Sequence, residues 1–222
     1  MKKNLSTAPV VEIWDFIDKL NTPGDCAIAP LIYIYENNGK KYPRVSGTAI
    51  FKMDKMVGEL NGEETKSMLF VTDSIKGGGL TVDNDEGAPS VTLEIFSNRT
   101  KIKPAWVNDK LQLQIHTITH AGLDEVMTTG GFTNLNSQNI IEKLAAKELE
   151  KNIRSVIKKV QSEYRCDVFG FGETIHNKMP KTWRQLEKNW GWEFSELDVI
   201  VNSTVIIDSS AKNSRSIRIH QE

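Results

Sequence analysis

Apolar residues recur at steps of three and four from Ile141 through Leu144, Ala145, Leu149, Ile153, Val156 and Val160 to Tyr164. The spacing predicts one long amphipathic helix over residues 136–164 with a single buried stripe. Lys143, Lys147, Lys151, Arg154, Lys158 and Lys159, interleaved with Glu142, Glu148, Glu150 and Glu163, cover the other directions and form pairs at helical spacing. At about 1.5 Å per residue such a helix runs for roughly 40 Å, so its stripe needs a wide sheet to cover it. The strands on either side in the chain are the candidates for that sheet.

A shorter helical stripe precedes them, made by Val10, Val11, Ile13, Trp14, Ile17 and Leu20 and stopped at Asn21-Thr22-Pro23-Gly24. Residues 26–36 and 44–53 read as strands of a hairpin around Asn37-Asn38-Gly39, and Asp54-Lys55 turns the chain again into 56–60. Asn61 is placed to cap a second helix, with Glu63 and Glu64 in its first turn, running to about Ile75. Gly77-Gly78-Gly79 breaks it, and 80–83 returns as a strand. The pattern then alternates over 90–103 and again from Leu111 through Leu113 and Ile115, which predicts two long antiparallel strands around an Asn108-Asp109 turn. Ser137 is expected to cap the long helix, Pro180 to start another over 181–190, and 197–207 to form a last strand. The fold class is therefore α+β. A small mixed domain is expected over residues 1–85 and a second domain over 86–222, whose curved antiparallel sheet packs on the long helix. The boundary falls in the acidic, glycine-bearing 83–87, and two modest cores follow from it.

Charge and composition exclude more than they assign. The formal net charge is -1 and no basic block is interleaved with aromatics, so no nucleic-acid partner is expected. The longest apolar windows, such as 27–35, are far shorter than the ~20 residues of a membrane span. Met1-Lys2-Lys3 is followed by Glu12, Asp15 and Asp18 rather than by an apolar signal-peptide segment. Cys26 and Cys166 lack a metal-ligand or redox spacing, and buried free thiols are expected in preference to one disulfide.

The run SGTAIFKMDKMVGELNGEETKSML, the strand ending KIKP, the long helix, CDVFGFGE, His176, and P-x-x-W followed by Trp190 and Phe194 resemble, in that order, the Ger(x)C family. The resemblance extends from about Ser46 to about Ile207. It implies the C subunit of a nutrient germinant receptor of bacterial spores, with roles in sporulation and germination. Family members are lipoproteins whose palmitate-bearing N-terminal cysteine anchors them on the outer face of the spore inner membrane beside two membrane-embedded partner subunits. Against that pattern, the chain is expected to carry the family's middle and C-terminal domains without the N-terminal domain, signal peptide or lipid-bearing cysteine. Such a fragment is expected to be soluble and not to bind membranes itself. The tail from Ser209 continues past the point where the family usually stops.

The resemblance and the residues both point away from catalysis. His116 and His120 in HTITH lack the glutamate of a zinc-protease helix, and on a strand they stand roughly 13 Å apart. Gly77–Gly79 lacks the lysine and hydroxyl of a phosphate-binding loop, and Asp83-Asn84-Asp85 lacks the glycine and closing glutamate of a calcium loop. No cofactor or metal is expected. The site expected to matter is a structural motif of Asp167, Phe169, Gly170, Gly172, Glu173, Pro180, Trp183, Trp190 and Phe194. Its glycines permit a sharp turn, and its aromatic rings each bury about 150–250 Å². Trp106, beside a turn, is either a lid on the sheet edge or an exposed partner contact. The function expected by resemblance is a non-catalytic receptor subunit supporting assembly and nutrient-triggered germination. A module that binds the nutrient directly, or a cell-wall hydrolase, are the alternatives.

Overall fold

A computed structural model of the chain describes residues 6–21, 26–82, 91–126 and 135–208. The boundary region 83–87 and the tail from Ser209 lie outside them. Two sheets and six α-helices are present among the described residues, in an α+β arrangement. The first sheet has the order β1–β2–β3, from Cys26–Asn37, Lys40–Lys52 and Lys55–Leu60, all antiparallel. The second has the order β4–β5–β6–β7, from Gly79–Val82, Val91–Val107, Lys110–Val126 and Asp198–Ile207.

The capping prediction for α2 (Gly62–Val71) holds atom by atom: Asn61 Oδ1 accepts from the Glu63 and Glu64 amides, and Glu64 Oε2 accepts from the Asn61 amide. The helix ends at Val71, short of the expected Ile75. Asp73 has positive φ there, and the Ser74 and Ile75 amides turn back to the Leu69 carbonyl, so the chain has left the helix before the glycines. Asp73 Oδ1 then accepts from the Thr100 amide and from Asn98 Nδ2, which fastens this turn to β5.

Helix α3 (Leu135–Lys159) continues into a π-turn, Val160–Tyr164, and together they fill the predicted span; Ser137 lies inside the helix rather than at its cap. The stripe Ile141, Ala145, Leu149, Ile153, Val156 and Val160 is buried as its spacing requires. Its flank performs a second task. β7 is an edge strand, and the helix supplies partners for its outer backbone groups: Glu142 accepts from the Ile207 amide, Glu150 accepts from the Ser203 amide, and Arg154 donates to the Val201 carbonyl. Backbone groups occupied in this way are withdrawn from pairing with another chain. The sheet differs from expectation in one respect, since β7 pairs with β6 in parallel. Parallel neighbours need a long crossover, and the segment holding α3 to α6 provides it.

One contiguous buried cluster takes in Cys26, Ile50 and Leu60 of the first sheet, Met68 to Val71 of α2, the inner face of the second sheet and the stripe of α3. Two sequence expectations are corrected here. Cys26 and Cys166 form a disulfide, with Cα atoms 5.7 Å apart, where free thiols were expected. Nothing in their sequence separation signals this, because only the packing of the π-turn end against the start of β1 brings them together. In α1 (Ile13–Asn21), the predicted apolar stripe faces outward: Ile13 and Trp14 are 66% and 75% exposed, while Phe16 meets Phe51 edge-on at 5.4 Å.

Candidate functional site

The segment after the π-turn is organised by one carboxylate. Arg165 ends the turn in the left-handed conformation, and Cys166 is fixed to β1 by the disulfide, so Asp167 enters at a set position. Its Oδ1 accepts from the Phe169 amide at 3.1 Å, and its Oδ2 accepts from the Gly172 amide at 2.7 Å and from the Trp190 indole N–H at 3.2 Å. One side chain thereby joins the turn, the first residues of α4 (Phe171–Lys178) and the start of α6 (Trp190–Glu196). The carboxylate also stands in for the cap that Gly170 cannot supply at the N-terminus of α4.

The two glycines serve different purposes. Gly170 has φ +75, a region that side chains oppose, and makes the sharp turn itself. Gly172 has no such backbone requirement. A Cβ there would stand 2.8 Å from the Trp190 indole nitrogen and 2.9 Å from the Trp183 ring, so its role is close approach. Around it the aromatic rings form a continuous chain. Phe169 stacks on Phe171 with centroids 5.1 Å apart, Phe171 and Trp190 each lie 6.1 Å from Phe194, and Trp183 meets Trp190 at 5.2 Å and His176 at 6.0 Å. Phe169, Phe171, Trp190 and Phe194 are buried and Trp183 is half-buried. Pro180 opens α5 (Pro180–Leu186) on the exposed side, and Glu173 lies exposed in the first turn of α4. From the other direction, Gln161 of the π-turn donates to the Phe194 and Leu197 carbonyls, both at 2.8 Å, which ties α3 to the end of α6.

Burial pushes the Asp167 carboxyl above its ordinary value even though the N–H donors favour the ionised form. The folded state therefore holds the proton more tightly than the unfolded chain. The stability from this group is fully present below the unfolded value of 3.8 and is lost as pH rises through the folded value. In urea unfolding from about pH 4 to 7, the stability of the wild type relative to Asp167→Asn should fall as pH rises. A relative gain with rising pH would mean that the donors outweigh burial.

Beside this motif lies a cleft of about 750 Å³, walled on the far side by Asp15, Asp18 and Lys19 of α1. Sequence reasoning did not bring α1 to this place, because no periodicity in the first twenty residues says what α1 faces. The motif side of the cleft presents Glu173, His176 and Glu187 as well as Asp167. Among the described residues no serine or threonine lines it, and the cysteine that does, Cys26, is in the disulfide. His116 and His120 lie away from it on β6, opposite Lys101 and Ser97, and no group of three or more potential metal ligands occurs among the described residues.

A mixed sheet backed by one long helix, with the Asp167-centred aromatic cluster at the end of that helix, makes this an α+β fold. The chain belongs to the Ger(x)C family: the model described as "Spore germination B3/GerAC like, C-terminal" matches residues 46–211. It is similar to spore germination protein B3 of Bacillus subtilis (strain 168), 30% identical over 179 residues that cover 74% of this chain and 47% of that protein. Spore germination protein KC of the same organism is 25% identical over 180 residues, covering 80% and 44% of the two chains. The crystal structure of the GerBC protein superimposes with a TM-score of 0.70 and 28% identity, over 86% of this chain and 58% of that one. The chain thus spans about half the length of these curated relatives.

Proposed function

We propose that the chain forms part of a non-catalytic C subunit of a spore germinant receptor, supporting receptor assembly and nutrient-triggered germination. In the whole protein an N-terminal lipid would hold it on the outer face of the spore inner membrane, beside two membrane-embedded subunits. The observation that carries the non-catalytic reading is the Asp167 site, where both carboxylate oxygens accept from protein N–H donors. A carboxylate so engaged is held in place by charge-assisted bonds to the fold, which supports a structural role for it. The disulfide supports a location outside the cytoplasm, since such bonds persist in oxidising compartments. No described helix is long and apolar enough to cross a membrane, so within these residues contact with the bilayer has no helical span to use.

The test is a spore strain whose only copy of the gene is removed and then restored with a tagged full-length version. Germination on nutrient should disappear and return, and the two membrane-embedded subunits should co-purify with the tag from detergent-solubilised spore membranes. Normal germination without the gene, or restoration with no co-purifying subunits, would contradict the proposal. Direct nutrient sensing is the second reading, favoured by the size of the cleft beside the motif. That cleft is walled by charged side chains from two helical regions and opens to solvent, unlike the enclosed apolar cavities that bury most of a small ligand.

A further inference from the structure

Trp106 and Trp192 are 54% and 57% exposed, yet they line the same groove of about 340 Å³ at one end of the second sheet. Trp106 ends β5 and pairs across the strands with Leu111, and Trp192 stands on α6 above the start of β7. The floor is apolar and continuous with the core, since Leu111 and Leu186 pack against the buried cluster. The rim is acidic: among the described residues Glu193, Glu196 and Asp198 line it against one cation, Lys110. Asp198 already accepts a hydrogen bond from Gln112 at 2.6 Å, while Glu193 and Glu196 follow Trp192 on the same helix.

Exposed indole faces beside carboxylates are chemically suited to a flat organic cation. The ring face attracts the charge, the carboxylates neutralise it, and a guanidinium can stack on indole while donating in its plane to oxygen. The open shape decides the form in which the cation arrives. A free amine would bury little of itself in an open groove, whereas an arginine carried by a polypeptide also brings apolar neighbours to cover the leucine floor. We propose that this groove is a docking site for an arginine-bearing segment of a partner polypeptide. The sheet-edge lid considered for Trp106 is thereby set aside in favour of a partner contact. This inference is independent of the germination reading, because it rests on the groove alone.

The test is a titration of the protein followed through its tryptophan indole N–H resonances, using three probes: acetyl-Leu-Arg-Leu-amide, the same peptide with citrulline in place of arginine, and agmatine. The arginine peptide should shift the Trp106 and Trp192 signals saturably and leave in place the signal of Trp14, which is exposed and lies outside the groove. Citrulline, which keeps the shape without the charge, should bind about tenfold more weakly or worse, and agmatine likewise. Trp192→Ala and, separately, Glu193→Gln with Glu196→Gln should each weaken the arginine peptide by about tenfold with the melting temperature unchanged, since all three side chains lie outside the core. Four results would overturn the proposal: no saturable shift with the arginine peptide, equal binding of the citrulline peptide, equal binding of agmatine, or undiminished binding in both variants.

Discussion

Breaking the Cys26–Cys166 bond, by reductant or by replacing Cys166 with serine, is expected to lower the stability of the protein by about 2–5 kcal/mol. The bridge closes a loop with a sequence separation of 140, and the loop-entropy model gives about 5 kcal/mol for a closure of that length. The lower part of the range allows for a denatured chain that keeps some structure and so loses less freedom when it is linked. The bond also has a local effect, because Cys166 immediately precedes Asp167 and sets where that carboxylate enters the motif. Urea unfolding with and without reductant measures the effect directly. Cys26→Ser, Cys166→Ser and the double variant should be destabilised to the same extent, since each removes the same link. An unchanged midpoint, or two thiols titrating in the untreated native protein, would show that the bond is absent.

The second large effect is expected at the aromatic knot. Trp190→Ala should cost about 3–5 kcal/mol, as for other buried large-to-small changes, because the ring is 4% exposed and its indole N–H is one of the donors to Asp167. Trp183→Ala should cost distinctly less, because that ring is half-buried on the cleft side. Gly172→Val should be comparably severe for a different reason. The first added carbon alone would fall within 3.0 Å of both indoles, and the nearer one, Trp190, is buried and backed by Phe194, so it has little room to yield. The order of the melting temperatures checks this: wild type highest, Trp183→Ala intermediate, Trp190→Ala and Gly172→Val lowest. Equal losses for the two tryptophans would mean that the packing described for Gly172 is wrong.

Most of the fold was legible in the sequence because it rests on local signals. The stripe of α3, the Asn61 cap, the Asn38-Gly39 hairpin and the Asn108-Asp109 turn each depend on residues close together in the chain. What the sequence hid is non-local. The disulfide joins residues 140 positions apart in the chain, and the parallel course of β7 depends on where a crossover of several helices delivers it. The face of α1 toward the cleft depends on neighbours that no periodicity names. Even inside the motif, DVFGFGE announces a turn through Gly170, but the reason for Gly172 is visible only when Trp183 and Trp190 are brought over it. The role of Asp167 as the common acceptor likewise needs Trp190, whose place in the chain lies beyond α4 and α5.

The central claim is that this segment holds the molecule together and is not where a ligand is bound or transformed. Its most direct test is the germination rate of spores whose sole copy of the gene carries Glu173→Gln, His176→Ala and Glu187→Gln together. These three exposed side chains face the cleft and take no part in the buried core. With protein level and melting temperature matched to wild type, germination on nutrient should proceed at the wild-type rate. Loss of germination by a stable, normally abundant triple variant would contradict the structural reading and place a ligand or a reaction in the cleft.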